Sequence, residues 1–175
     1  MPLVEDRIDE LRKARVFSAI DLKNGFLHVP VAEESIRYNA FVTQFEFLRT
    51  PFGLSISATV LRYIVDEIFQ DLIRRKIMLT YVDDVIIPGE NDEDAFRKLV
   101  EVLKVAARNG LTINWDKCQF LQLRIEYLGH EVENGNVYPS TNKIRAVEKF
   151  PKPKNKKHMQ SFLELTGYFR KFVKN

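Results

Sequence analysis

The stretch Ile77-Met78-Leu79-Thr80-Tyr81-Val82-Asp83-Asp84-Val85-Ile86-Ile87 sets two carboxylates side by side between two short apolar runs. Both runs are rich in β-branched and aromatic residues, which predicts two strands of a tight hairpin with Asp83 and Asp84 at its bend. Adjacent anions repel, and burying them unpaired costs on the order of several kcal/mol. A hairpin that needed only a turn could carry Asn-Gly or Asp-Gly at its tip without that cost. A hard divalent cation resolves the conflict, because Mg²⁺ prefers carboxylate oxygens and keeps positions open for phosphate. The competing reading of the Asp-Asp pair is a solvated turn. The apolar flanks and Tyr81 weigh against that reading and leave it open.

Composition narrows the remaining choices. The chain has 175 residues, 45% hydrophobic and 29% charged, enough for one globular unit with a core of its own. Cys118 is the only cysteine, which excludes a disulfide framework and a cysteine metal knuckle and is compatible with a reducing compartment. His28, His130 and His158 stand far apart, without zinc spacing. No apolar run approaches membrane-spanning length, and no signal peptide opens the chain, so neither a membrane partner nor secretion is expected. From Thr141 to Asn175 ten Lys and Arg face two acids, a net +8 within a chain of net +3, which leaves −5 on the other 140 residues. A basic tail on an acidic body points to a polyanion at one end and metal ligands at the other, with a solvated helix surface as the plain alternative.

Along the chain, residues 2–14 read as a short, weakly amphipathic helix, and Val16–Ile20 as a strand ending at Asp21. Asn24-Gly25 marks a turn. Short strands are expected over 27–31, 38–42 and 45–49, although Thr43-Gln44 is a chemically poor connection between the last two. Residues 58–73 repeat apolar side chains at helical spacing and end in Arg74-Arg75-Lys76, cations suited to a helix C-terminus. Asn91-Asp92-Glu93-Asp94 reads as the cap and first turn of a helix over 95–109, rather than a calcium loop, and Gly110 stops it. Residues 111–113 read as extended. One strand over 125–132 and a second at Val137-Tyr138 are expected to form a hairpin across Asn134-Gly135-Asn136. Helices are expected over 141–150 and 156–173, separated by Pro151 and Pro153. If the strand ending at Asp21 adjoins the Asp-Asp hairpin, three carboxylates converge. Three such groups can hold two Mg²⁺ ions, one activating a hydroxyl nucleophile and one steadying a triphosphate.

Six segments in collinear order carry a resemblance. They are Val16–Phe26, Pro51-Phe52-Gly53-Leu54, Tyr81-Val82-Asp83-Asp84, Gly110-Leu111 through Lys117-Cys118, Tyr127-Leu128-Gly129-His130, and Ser161-Phe162-Leu163 through Phe172. Together they resemble the reverse transcriptase of Ty3/gypsy-type LTR retrotransposons, over nearly the whole chain. The Asp-Asp pair alone is a weak signal, whereas the ordered set is specific. The resemblance implies an α+β, right-hand polymerase fold, with an antiparallel palm sheet backed by helices. Residues 1–138 would be the palm with remnant fingers over about 30–57, and residues 139–175 the basic helices that start the thumb or connection. The implied activity is RNA-directed DNA polymerisation on an RNA or DNA template–primer, using dNTPs and two Mg²⁺ ions with Mn²⁺ as a substitute.

Matched residue by residue, Asp21, Asp83 and Asp84 would bind the metals, with the main-chain carbonyl of Leu22 as a further ligand. Lys117 would protonate the leaving pyrophosphate, with a solvated lysine as the alternative. Phe26 would lie under the sugar of the incoming nucleotide, and Phe52 and Gly53 would line its pocket. Leu128, Gly129 and His130 would grip the primer end. The resemblance also implies an intracellular setting, in cytoplasmic virus-like particles or the nucleus. Implied partners are the rest of a Pol polyprotein or other copies of the chain.

The chain departs from the family pattern at two connections, at its start, and at Glu164, where the family prefers Gly. The connection at Thr43-Gln44 is about three residues short, and Ser55-Ile56-Ser57-Ala58 lacks the family's Asn and Pro and is about one residue short. A one-residue deletion before a helix turns what precedes it by roughly 100°. Met1 falls shortly before the first catalytic strand, so a trimmed copy with most of the fingers absent is expected. The alternative function is therefore a catalytically impaired fragment that binds nucleic acid or a protein.

Overall fold

The computed structural model describes residues 4–39, 47–51, 53, 56–81, 84–167 and 169–172. The chain divides into two units, one of Val16–Gln122 and one of Met1–Arg15 with Leu123–Asn175. This grouping by contact differs from the expected division at 138/139, which followed function rather than packing.

The Val16–Gln122 unit is a four-stranded antiparallel sheet with helices on one face. β1 (Val16–Asp21) and β3 (Asp84–Gly89) pair along their full length, from Val16↔Gly89 to Asp21↔Asp84. β2 (Leu79–Tyr81) adds to the far side of β3, and β4 (Gln119–Gln122) to the far side of β1, giving the order β2-β3-β1-β4. Cross-strand partners share a face, so Ser18, Ile20, Thr80, Val85 and Ile87 lie on one side. On that side Ile20, Val85 and Ile87 join a core with Leu61 and Val65 of α2 (Ser57–Ile68) and Leu99, Val102 and Ala106 of α4 (Asp92–Arg108). Each fully buried aliphatic there contributes about 1.5–3 kcal/mol. The opposite face carries Phe17, Leu79 and Ile86, all buried, and at one end Asp21, Tyr81 and Asp84, none of them buried.

Local signals explain most of these elements. Asn91 caps α4 by accepting from the Asp94 N–H at 2.9 Å. The acids of the first turn thus serve the helix, as expected. Gly110, at φ +68°, closes α4 with paired bonds from Gly110 N–H to Ala107 O and Leu111 N–H to Ala106 O. α3 (Gln70–Arg74) ends in the same motif, but with Lys76 in the left-handed position at φ 56°. The helix expected over 58–73 is divided at Phe69. Helical hydrogen bonds continue through it, from Phe69 N–H to Val65 O and from Ile73 N–H to Phe69 O.

Other expectations are corrected. Residues 27–31 form no strand. Gly25–His28 is a 3-10 turn, followed by a single bridge between Pro30 and Arg49. Tyr38 belongs to a second 3-10 turn, Glu33–Asn39. Thr43-Gln44, and with it half of the two strands expected there, lies outside the described residues. α2 starts at Ile56-Ser57 without a side-chain cap, in keeping with the missing Asn and Pro. Instead the buried Ser57 hydroxyl donates to the Pro51 carbonyl at 3.2 Å. β4 was not expected. It pairs with β1 through a bulge, and Leu121, at φ 51°, donates its N–H to the buried Ser18 hydroxyl at 3.0 Å.

In the second unit, β5 (Arg124–Tyr127), β6 (His130–Glu133) and β7 (Asn136–Pro139) form an antiparallel meander. The single strand expected over 125–132 is therefore two, turned at Leu128-Gly129, both with positive φ (49° and 72°). The Asn134-Gly135 turn packs on the end of α1 (Val4–Leu11), where a Cβ on Gly135 would lie 2.7 Å from Arg12 O. α5 (Thr141–Glu148) and α6 (Lys156–Gly167) follow, the latter shorter than the expected 156–173. No helix of the described residues is long and apolar enough to cross a membrane.

Gly89 joins β3 to α4 at a point where an added Cβ would stand 2.5–2.7 Å from the Cβ, Cα and N of Ala95. Gly89→Ala is expected to cost about 1–3 kcal/mol in urea unfolding. Unchanged stability would show that β3 and α4 are less closely packed than described.

Candidate active site

The accessible end of the first sheet's second face is built around a cross-strand pair of carboxylates. Asp21 ends β1, Asp84 opens β3, and the two are register partners. Directly opposed residues have Cβ atoms about 4.5–5.5 Å apart, and like charges so placed destabilise the sheet. Asp84 is thus a strand residue rather than part of the bend, and Val82 and Asp83 lie outside the described residues. Tyr81 pairs with Asp84 on the other side.

A third segment closes on Asp21. The Asn114 N–H donates to Asp21 O at 2.9 Å, and the Lys23 N–H to Thr112 O at 2.9 Å, framing a bridge between Leu22 and Ile113. Both bonds come from flanking residues, so this bridge does not engage the Leu22 carbonyl. The Leu22 side chain itself is buried. On the following 3-10 turn, Trp115–Lys117, Lys117 Nζ stands 3.8 Å from Asp21 Oδ2. The lysine side chain is 67% exposed, so solvent screens this pair. Cys118 donates to Asn114 O at 3.2 Å beside the Asp21 backbone, and burial pushes its thiol up.

Other expected site residues fall nearby or elsewhere. Phe26 sits half-buried in the 3-10 turn after Asn24, packed on the core. That turn is held close to α2: a Cβ on Gly25 would lie 2.9 Å from Leu61 Cδ2. Gly53 is exposed at φ +95°, and Phe52 lies outside the described residues. In the second unit, Leu128 and Gly129 are half-exposed at their turn. The His130 ring is buried, 5.5 Å from Phe169 and 5.8 Å from Phe172 between ring centres. Its Nδ1 lies 3.0 Å from Leu128 O. His130 therefore supports the turn from within rather than presenting its ring to a primer.

The donor set suits a hard divalent cation. Asp21 and Asp84 offer carboxylate oxygens at the accessible end of their face, with the Leu22 carbonyl adjacent in sequence, and a cation between them removes their repulsion. Among the described residues no three His, Cys, Asp or Glu side chains converge, so the third carboxylate rests on Asp83 in the sequence.

Sequence reasoning missed Glu131. Its Oε1 accepts from the Thr141 N–H at 3.2 Å and the Thr141 hydroxyl at 2.9 Å, joining β6 to the start of α5. Its other oxygen pairs with Arg124 of β5. The Thr141 N–H first, then Arg124, hold its carboxyl below the usual carboxylate range. No local pattern announces a strand glutamate that binds a helix start.

Comparisons with known proteins agree with this geometry. Residues 2–132 match the family described as Reverse transcriptase (RNA-dependent DNA polymerase). The chain is 34% identical over its full length to the Retrovirus-related Pol polyprotein from transposon 297 of Drosophila melanogaster, spanning 17% of that protein. It is 32% identical to the corresponding polyprotein from transposon gypsy, again over its full length and 17% of the relative. It is 25% identical, over 99% of its length, to the Transposon Tf2-7 polyprotein of Schizosaccharomyces pombe, spanning 13% of it. The chain thus spans less than a fifth of these relatives. Among solved structures, foamy viral protease-reverse transcriptase in complex with ds DNA matches 93% of this chain and 29% of its own, at TM-score 0.84 and 24% identity. The same viral protein in complex with RNA/DNA hybrid matches 93% and 23%, at TM-score 0.78 and 22% identity. Those two likenesses show the α+β polymerase fold.

The Glu131 contacts set a pH dependence. The carboxyl is held lower in the folded chain than in the unfolded one, where it titrates near about pH 4.3. Its stabilisation is complete above that value and is lost as pH falls through the folded pKa. Glu131→Gln is expected to be less stable than the parent at pH 6, with the difference shrinking toward pH 3, in urea unfolding. A difference that stays constant with pH would contradict this assignment.

Proposed function

The chain belongs to the reverse transcriptase (RNA-dependent DNA polymerase) family, and we propose that it supplies the catalytic palm for extending a primer on an RNA or DNA template. The observation that carries the proposal is the register pair Asp21↔Asp84, unburied at one end of a helix-backed sheet. Asp83, immediately before Asp84 in sequence, is the third carboxylate. Two divalent ions bound there, Mg²⁺ by preference, would lower the pKa of a primer 3′-hydroxyl and neutralise the triphosphate.

The chain's own residues account for the rest. The cross-strand carboxylates hold a fixed negative site, and their repulsion favours whichever cation fills it. Lys117, whose Nζ stands 3.8 Å from Asp21 Oδ2, would neutralise or protonate a departing pyrophosphate. Phe26, behind its tight turn, offers a ring that would crowd a 2′-hydroxyl and favour dNTPs. The Leu128-Gly129 turn offers main-chain groups to a primer end, with His130 bracing it from below. Lys143, Arg145, Lys149 and Lys152, on and after α5, suit phosphate contacts that are independent of sequence and weaken with salt. Larger Pol polyproteins, of which the relatives are examples, are the proposed setting, in cytoplasmic particles or the nucleus.

Primer extension on an RNA template with Mg²⁺ and dNTPs tests the proposal. The parent chain is expected to extend. Asp21→Asn, Asp83→Asn and Asp84→Asn are each expected to lose about 10²-fold or more, as when a group stabilising transition-state charge is removed. Template–primer binding without extension by the parent would overturn the catalytic reading and leave a binding module.

A further inference from the structure

β2 leads directly into the carboxylate pair, yet main-chain pairing holds it weakly. It is three residues long and lies at the edge of its sheet, paired among the described residues only with β3. Besides the buried Met78 and Leu79 side chains, a side-chain bond anchors it on the helix-covered face. Thr80 is buried, and its hydroxyl donates to Asp66 Oδ1 of α2 at 2.8 Å. The second oxygen of Asp66 faces Arg62 Nε, one helical turn earlier, at 3.4 Å. Met78 and Val85 beside Thr80 on that face are apolar, and Val at position 80 would suit a buried strand equally well. A hydroxyl there needs a partner, and a charged acceptor gives a shorter, more directional bond than a neutral one. The ladder carries the consequence to the opposite face. Thr80 pairs with Val85, the next pair is Tyr81↔Asp84, and Asp84 pairs in turn with Asp21.

We infer that Asp66 is a positioning residue for the carboxylate site: oriented by Arg62 and bonded to Thr80, it sets the depth of β2 against α2 and thereby the placement of Asp84 opposite Asp21. The inference rests on the polymerase reading only in taking Asp21 and Asp84 as cation ligands. The affinity of the site for a divalent ion depends on that placement, so the bond on one face of the sheet governs metal binding on the other.

Mn²⁺ titration of the full chain, following loss of the free-ion electron paramagnetic resonance signal, tests it. Thr80→Val and Asp66→Ala are expected to bind Mn²⁺ about 3–10-fold more weakly than the parent, at or below the loss typical for direct supports of metal ligands. Thr80→Ser, which keeps the hydroxyl, is expected within about twofold of the parent on the same scale. Equal affinity in all four chains, whether tight or too weak to measure, overturns the inference, even if the variants melt at lower temperature. Should Thr80→Val and Asp66→Ala fail to fold, Asp66→Asn carries the comparison, since it keeps an acceptor for Thr80 but releases Arg62. A several-fold weaker Mn²⁺ affinity supports the inference, and parent affinity overturns it. Primer extension is recorded alongside. A parent chain that does not extend removes the polymerase reading, while the Mn²⁺ ratios still decide this one.

Discussion

Two carboxylates face each other across adjacent strands, and the first unit is arranged to keep them there. The Asp21↔Asp84 pair is unfavourable by itself, because like charges directly opposite in a ladder repel. It persists because the pairing continues below it through Ile20↔Val85 to Val16↔Gly89, and the Ile20 and Val85 side chains are locked in the core. A shift of β1 by one residue would exchange its faces, carrying Asp21 into the helix-covered core and Ile20 to the exposed end of the other face. The hydrophobic core thus fixes the register, and the register fixes the charge pair.

Everything else near the pair serves to hold one strand end. Asn114 ties down the backbone of Asp21, and the bulge at Leu121 lets β4 follow β1 while satisfying the buried Ser18. On the other side the Schellman turn at Lys76 delivers the chain into β2 immediately after α3. A non-glycine residue at that position costs about 1 kcal/mol, a local strain the core must offset. In the second unit the same logic recurs. Glu131 and His130 face opposite sides of β6, the first bonded to the start of α5 and the second buried against Phe169 and Phe172. The Leu128-Gly129 turn is stiffened from beneath.

Elements with strong local chemistry were legible in the sequence. β1, the β2–β3 hairpin, α4 with its Asn91 cap and its Gly110 stop all follow from apolar spacing and capping residues. Elements that depend on backbone geometry without a matching residue type were not. Leu128 and Leu121 take positive φ, where leucine gives no warning, so one hairpin was read as a strand and β4 was not foreseen. The strands expected over 27–31 and 38–42 begin inside the 3-10 turns Gly25–His28 and Glu33–Asn39, because apolar residues alternate there over too few positions to separate the periods. Within the site, Asp21, Asp84 and Lys117 could be named from motif order. The Asp66–Thr80 bond, the Asn114 contact and the burial of His130 could not, because each joins residues brought together only by tertiary packing.

The central claim is that the register pair is a divalent-cation site. Anomalous diffraction from crystals of the chain soaked in Mn²⁺ tests it most directly. The account predicts a peak within coordination distance of one oxygen from Asp21 and one from Asp84, at the accessible end of the sheet. Mn²⁺ bound elsewhere, with neither carboxylate touching a peak, would contradict it.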